Sequence, residues 1–329
     1  MTIKTLTYSI TGISSGNVDS VSVNEAYNSP TVNALVKCSD TSLDLGDFIV
    51  ISVGYGSNTK IFSGYVNAIR RNVPEHLIEV VAEDVLTKNT NYFIASNDPD
   101  EPLTYSNISS EDYVEDILSQ AWDGDMVFEA DVPLTFTWAT DAEAEVNLIS
   151  SWEAANEMAQ LLAWHIYADR NGKIWFTDRR PYKMAGDSSE FSWDETAGTN
   201  VISLIYSKST EETRNRVVVY GREGIYASAS QINTDLYYSG YYKTAVIGHP
   251  LIQTQDQAQL TADYNLELYN RLTETLNMTV EGDPDITARK IATVTTSSFT
   301  GAGTGDWFIY QCTHNFGQRG YTVDMLLTK

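Results

Sequence analysis

Histidine and cysteine are the side chains that most often hold a transition metal or supply a nucleophile and its base, and this 329-residue sequence contains four of the first and two of the second. His76, His165, His249 and His314 form no His-x-x-x-His pair, and Cys38 and Cys312 lie too far apart in sequence to complete a zinc knuckle. There is no Gly-x-Ser-x-Gly elbow and no phosphate-cradling glycine loop. Carboxylates are abundant, at 44 Asp and Glu, so pairs that could flank a glycosidic bond are easy to find; Asp123, Asp125, Asp141 and Glu143 are the best placed. In so acidic a chain they read as solvated loop acids. Asp169-Arg170-Asn171-Gly172 has the opening of a calcium loop but lacks the third acidic ligand and the closing Glu, so it reads as a hairpin turn, where Asn and Gly tolerate positive φ. Tyr237-Tyr238-Ser239-Gly240-Tyr241-Tyr242 sets two aromatic pairs around a Ser-Gly turn. Its tyrosines could alternate in an ordinary hairpin, stack on a sugar or anchor a protein interface. The sequence therefore predicts no catalytic, cofactor or metal site, and offers Tyr237, Tyr238, Tyr241 and Tyr242 as candidate partner-interface residues.

The charge balance narrows the partners. Against the 44 acids stand 21 Lys and Arg, a formal net charge of -23, which disfavours any groove that grips phosphates. A surface of this sign keeps a protein soluble, and it can also repel a passing polyanion. No positively charged start precedes an apolar run and a small-residue cleavage site, and no apolar stretch approaches a membrane span. A soluble chain assembled in a cytoplasm is expected, with both cysteines acting as small buried apolar residues.

The elements that would position these residues are mostly strands. Thr5 to Ile10, Ser20 to Asn24, Ala34 to Cys38, Phe48 to Val53, Lys60 to Ile69 and Leu77 to Val81 are short β-prone runs broken by turn residues, which predicts a small antiparallel barrel over 1–96. Two prolines and three acids within Asn97 to Pro102 mark a linker. An α/β domain follows over 97–190. One of its helices starts near residue 110, after Ser109, and a second is capped by Ser150 and Glu153. Both lead to a hairpin turning at Asp169 to Gly172. Residues 191–222 and 276–329 are assigned to a second barrel. Residues 223–275 form an insert holding the tyrosine-rich hairpin and a helix that begins at Thr254 with Gln257 closing a capping box. The fold class is α+β, mainly β: two small antiparallel β-barrels with α/β insert domains. Phe48 to Val53, Lys60 to Ile69 and Leu77 to Val81 are matched in layout by Lys290 to Thr295, Trp307 to His314 and Tyr321 to Leu327, at poor residue identity, which suggests a duplication.

The order of these pieces resembles the baseplate hub proteins of contractile-tailed phages, the late-control protein D family, and the hub half of type VI secretion spikes. Three stretches carry the likeness. Gly46 to Ile51 followed by Ile61-Phe62-Ser63-Gly64-Tyr65-Val66 is similar to the family's first barrel, with its Phe-x-Gly strand. Ser151 to Trp164 and then Asp169 to Phe176 are similar to its middle helix and Asp-x-x-Gly hairpin. Asn215 to Gly221, the long helix, Gly282-Asp283-Pro284, Tyr310 to His314 and Gly320-Tyr321 complete the series. One departure is visible: where the family usually has a glycine before the next strand, this chain has Ala288-Arg289-Lys290, so that turn is expected to differ. The resemblance implies a non-catalytic, cofactor-free subunit. It implies a homotrimer whose paired barrels form a pseudo-six-fold ring in the virion baseplate. That ring would join a hexameric tail-tube protein to a trimeric central spike, contact other baseplate proteins and let DNA pass without specific binding. A tail-associated carbohydrate-binding adhesin and a cell-wall hydrolase are the competing readings.

Overall fold

The computed structural model describes residues 5–72, 74, 76–94, 103–105, 108–129, 144–146, 148–162, 164–195, 200–211, 213–231, 242–270, 273–297, 303–318 and 320–329. The chain opens with β1 (Leu6–Ile10), β2 (Val18–Ala26), β3 (Asn33–Cys38), β4 (Phe48–Tyr55), β5 (Thr59–Asn72) and β6 (Leu77–Glu83). Short elements follow: α1 (Thr87–Asn91), β7 (Phe93–Ile94), β8 (Leu103–Tyr105), α2 (Ser110–Ser119), β9 (Met126–Glu129), β10 (Ala144–Val146), β11 (Ile149–Ser150), α3 (Ser151–Leu162), β12 (His165–Ala168) and β13 (Ile174–Thr177). Next come β14 (Phe191–Asp194), β15 (Val201–Ser209), β16 (Arg216–Tyr220), β17 (Tyr226–Ser230), β18 (Thr244–Gly248) and α4 (Gln255–Tyr269). The last four are β19 (Thr273–Glu281), β20 (Ile291–Thr295), β21 (Gly305–Gly317) and β22 (Gly320–Thr328).

Mainly antiparallel strands dominate, as the sequence predicts, but they do not close into two separate barrels. β1-β4-β5-β6-β3-β2 continues through β21 into β22-β19-β15, with β20 and β14 branching from β21, to give one 12-stranded sheet. The two β regions also share one hydrophobic core, in which Val21, Val36, Ile49, Val80, Leu276, Met278, Trp307 and Val323 are all buried. The physical reason lies in β2 and β21. Both are long, and each has an edge left free by its own region, so they pair with each other from Ala26 opposite Gln311 to Ser20 opposite Gly317.

The duplication suggested by the layout appears strand for strand in the hydrogen-bond register. The first region runs β1-β4-β5-β6-β3-β2 and the second β14-β20-β21-β22-β19-β15, the same order of first, fourth, fifth, sixth, third and second strands. Ile49 opposite Gly64 has its counterpart in Ala292 opposite Trp307, and Val66 opposite Ala82 in Ile309 opposite Leu327. Even the irregularities coincide: one register shift falls between Val66 and Ala68 and between Ile309 and Gln311, another between Val18 and Ser20 and between Val201 and Ser203. Bulges redirect a strand and survive where the fold needs the bend. Only the first strands differ in direction, β1 being antiparallel to β4 and β14 parallel to β20.

Between the repeats, α2 and α3 pack their apolar faces together, burying Val114, Ile117, Leu118, Ala155, Ala159 and Leu162 with Trp164 and Phe176 from the following segment. Ser109 caps α2 by accepting from the Asp112 N–H at 3.0 Å. The Ser150–Glu153 capping box is complete, with Glu153 N donating to Ser150 Oγ and Ser150 N to Glu153 Oε2, both at 3.1 Å. The hairpin forms as expected, β12 on β13 antiparallel, and β9 joins β13 in parallel.

A third sheet, β17-β16-β18, lies under α4, whose Ala258 and Ala262 are fully buried against Val217, Val219, Ala227 and Ile252. The sequence reading grouped Asn215 to Tyr220 with the second barrel. Strand pairing puts β16 instead in the middle of this separate sheet, because its fully buried Val217 and Val219 face the helix. The Thr254–Gln257 capping box of α4 is present. Replacing Thr254 with alanine should lower the unfolding free energy by about 1 kcal/mol, readable as a shift in urea midpoint; an unchanged midpoint would show that the helix is held by packing alone.

Candidate functional site

Three units meet at Arg289, in the turn that departs from the resembling family's glycine. Its φ is +71°, in the left-handed region, so the backbone has the conformation a glycine would favour while carrying one of the largest side chains. The guanidinium is buried. Nη1 donates to Glu25 Oε1 of β2 at 2.6 Å, Nη2 donates to the Ala26 carbonyl at 3.2 Å and lies 3.2 Å from His165 Nε2 of β12, and the group stacks 4.0 Å over the Tyr167 ring. Tyr27 stacks on His165 at 4.3 Å and donates its hydroxyl to the Arg179 carbonyl at 2.9 Å. One side chain thus ties both β repeats to the α/β unit.

A cleft of about 580 Å³ opens beside it, lined by Glu25, Tyr167, Asp169, Arg170, Arg179 and Arg289 among others. Three guanidiniums would suit an anion, but each is already engaged. Arg170 donates to the carbonyls of Pro284 and Ile286, and Arg179 pairs with Asp187 at 2.6 Å and lies over the Phe308 ring. The cleft is a seam held by internal ion pairs.

Asp84 and His314 are likewise held by buried hydrogen bonds. Asp84 is buried, and burial pushes its carboxyl up to about 7, although it accepts the Val32 N–H at 2.7 Å and the Leu86 N–H at 3.0 Å, both of which pull the other way. His314 lies inside β21 and is almost fully buried. Its Nε2 faces the Ile286 carbonyl at 3.0 Å and its Nδ1 the Tyr321 hydroxyl at 2.7 Å, so Nε2 carries the proton and Nδ1 accepts. Burial pushes its pKa down to about 3. Burial likewise depresses His165, which starts β12, and raises the Cys312 thiol. Asp123 and Asp125 are exposed, while Asp141 and Glu143 lie outside the described residues. Among the described residues no group of three or more His, Cys, Asp and Glu could hold a metal ion. Asp169 closes its turn by accepting the Asn171 and Lys173 N–H groups at 2.8 and 3.0 Å.

Of the four interface tyrosines, Tyr237, Tyr238 and Tyr241 lie outside the described residues. Tyr242 is exposed, with the Arg216 guanidinium 5.3 Å over its ring. The apolar surface that sequence reasoning missed is on β15, where Ile202 and Ile205 are each about three-fifths exposed, at 62% and 61%. The signal was present in Val201-Ile202-Ser203-Leu204-Ile205, which is too apolar for a strand with one wet face.

The glycines of the motifs explain why this geometry constrains sequence so little elsewhere. A Cβ on Gly64, the glycine of Phe62-Ser63-Gly64, would lie 2.0 Å from the Glu83 carbonyl oxygen, and one on Gly282 would lie 2.0 Å from the Tyr321 ring. At such close approaches only glycine fits, whereas most core positions need only an apolar residue of suitable size.

The family model described as YQBQ-like matches residues 155–328, more than half of the chain. The chain belongs to the YQBQ-like family. No curated protein matches this YQBQ-like chain by sequence. Among solved structures it is similar to a tail protein from Neisseria meningitidis MC58, at TM-score 0.73 and 11% identity, over 98% of this chain and 96% of that one. It is also similar to the 43 kDa tail protein of prophage MuSo2 from Shewanella oneidensis, at TM-score 0.70 and 12% identity, over 98% and 97%. A third likeness is to an E. coli component of the type VI secretion system described as structurally similar to T4 bacteriophage tail proteins, at TM-score 0.60 and 11% identity, over 98% and 76%. At such identities what the YQBQ-like chain shares with these proteins is the fold, over nearly its whole length.

Proposed function

We propose that this protein is a structural subunit of a phage-type tail, acting as the baseplate hub that adapts a hexameric tail tube to a three-fold spike. The observation that carries this reading is the strand-for-strand repeat within a fold shared end to end with tail proteins. Three chains, each with two equivalent β units, offer six similar faces on one side of a ring and three different ones on the other, which is what joining six-fold to three-fold symmetry requires. In this reading residues 1–96 form the tube-facing unit, while strands drawn from 191–222 and 276–329 supply its twin. The α/β unit over 97–190 and the segment 223–275 with its tyrosines then face neighbouring baseplate proteins. No residue acts chemically. The net charge of -23 gives the ring a further property: an acidic channel wall lets DNA slide without sticking.

The test is the mass of the purified protein by light scattering at several concentrations, combined with binding to its tail-tube and spike proteins. A species near 110 kDa, about three times 36.6 kDa, that binds both is the expected result. A monomer at every concentration that binds neither would overturn the hub reading.

A further inference from the structure

The junction joining the two repeats inside one chain uses two particular edges. The outer edge of β2 lies against β21 beyond the point where β20 stops: β20 covers Gly305 to Phe308, and β2 covers Gln311 to Gly317. The repeat supplies a second copy of each edge. Matching pairing registers make β15 the counterpart of β2, with Ser207 at the position of Asn24, and the end of β5 the counterpart of β21, with Arg70 at the position of Thr313.

Both of these second edges are vacant among the described residues. β15 ends the sheet, with β19 on one side only. β4 covers β5 only as far as Tyr65, opposite Phe48, so the same side of Asn67 to Asn72 has no strand on it. Both edges are free of proline; their charged residues are Lys208 on β15 and Arg70 and Arg71 on β5. β15 is nine residues long, contains no proline, and exposes Ile202 and Ile205. Arg70, Arg71 and Asn72 are exposed on the other edge. The two edges are not paired with each other within the molecule, which leaves them free to meet between copies.

We propose that β15 of one chain pairs antiparallel with the end of β5 in a second copy of this chain, repeating between molecules the junction that β2 and β21 make within one. Transposing the internal register places Ser209 opposite Ala68, Lys208 opposite Ile69, Ser207 opposite Arg70, Tyr206 opposite Arg71 and Ile205 opposite Asn72. In the internal junction the opposed residues meet on one face: Thr313 Oγ1 donates to Asn24 Oδ1 at 2.9 Å, and Gln311 Nε2 to the same oxygen at 2.8 Å. Between copies the Ser207 hydroxyl takes the place of that acceptor, with Arg70 as its donor. Tyr206 offers its ring to the Arg71 guanidinium. The contact is heterologous, joining two different edges, so repetition with a constant rotation closes a ring instead of a two-fold dimer. This inference rests on the ring reading above and assigns its subunit contact.

The experiment uses the full chain with Ser207→Cys and Arg70→Cys together, and each change alone. The chain's own Cys38 and Cys312 are buried and free. Directly opposed Cβ atoms in an antiparallel pair are about 4.5–5.5 Å apart, close enough for a disulfide after small adjustment. Mild oxidation should link the double variant into covalent multimers ending at a fixed size, while neither single variant gives them. Absence of multimers in the double variant, whether light scattering finds the sample assembled or monomeric, overturns the proposed edge pairing. An assembled sample that still binds tube and spike would leave the hub reading standing. As a second measurement, Ser207→Arg sets like charges opposite Arg70 at an exposed position and should weaken association by about 5-fold with the far-UV spectrum unchanged. Unchanged association would overturn the proposal as well.

Discussion

Replacing Arg289 with alanine is expected to lower the unfolding free energy by about 3–5 kcal/mol, among the largest effects available to a single substitution here. The Glu25 carboxylate is then left inside the protein without its cation, with the Thr287 hydroxyl at 3.1 Å and the Cys312 thiol at 3.9 Å as its donors among the described residues. Alanine also keeps a Cβ at φ +71°, where the backbone remains strained. Arg289→Gly relieves that strain and should be less damaging than alanine by about 1 kcal/mol, although glycine's greater freedom in the unfolded chain offsets part of the gain. Removing the carboxylate as well, in Arg289→Met with Glu25→Gln, should recover part of the loss, because the pair's desolvation is then no longer incurred. Urea unfolding of the variants measures each difference. A fall below about 1 kcal/mol for Arg289→Ala would show that the three units are held by their apolar contacts alone.

Acid should unfold the protein partly through His314. Its folded pKa of about 3 lies below the ordinary 6.5, so below pH 6.5 the unfolded chain binds a proton that the folded chain refuses. The stability tied to the neutral ring is therefore fully present above pH 6.5 and is lost as pH falls toward 3, by up to about 1.4 kcal/mol per pH unit and on the order of 5 kcal/mol in all. Asp84 works in the opposite sense. With its folded pKa raised from 3.8 to about 7, its contribution is complete below 3.8 and is lost as pH rises through 7. Between about pH 4 and 6.5 the two oppose each other, and their combined effect is nearly flat. Below that window the His314 effect continues alone, and above it the Asp84 effect does. Comparing urea midpoints of wild type and His314→Gln from pH 3 to 8 isolates the first, since the many surface carboxylates are common to both. The variant should be the less stable at pH 7, having lost the hydrogen bonds to Ile286 and Tyr321, and the gap should narrow on acidification. A gap that does not change with pH would assign His314 a packing role only.

The two readings address different levels of the same architecture. Arg289 holds the units of one chain together, and the paired edges of β15 and β5 are proposed to hold chains together. In the charged cleft beside Arg289 the cations join one part of the chain to another, Arg179 to Asp187 and Arg289 to Glu25.

Local chemistry made much of this legible in the sequence. Strands such as Phe48 to Val53 showed their period, helix starts at Ser109, Ser150 and Thr254 showed their caps, and the turn at Asp169 to Gly172 showed its Asn-Gly pair, because each depends on residues only a few positions apart. The order of the elements was enough to suggest a repeat, but residue identity was too poor to establish it. Val80 and Met325, or Ala34 and Leu276, fill the same places in the two units with different shapes, since a core position asks for apolar volume and not for one residue.

Tertiary structure alone decided the rest. That two β regions far apart in sequence share one sheet depends on the edges of β2 and β21, and hydropathy along a strand says nothing about which distant edge it will meet. The placement of β16 in a separate sheet, the left-handed conformation of Arg289 and the burial of His314 and Asp84 follow from the same limit: each is set by groups dozens to hundreds of residues away. Sequence determined what each segment is, through short-range sterics and patterning. Only the fold determined which segments touch, because pairing and burial are settled by competition among all the surfaces of the chain at once.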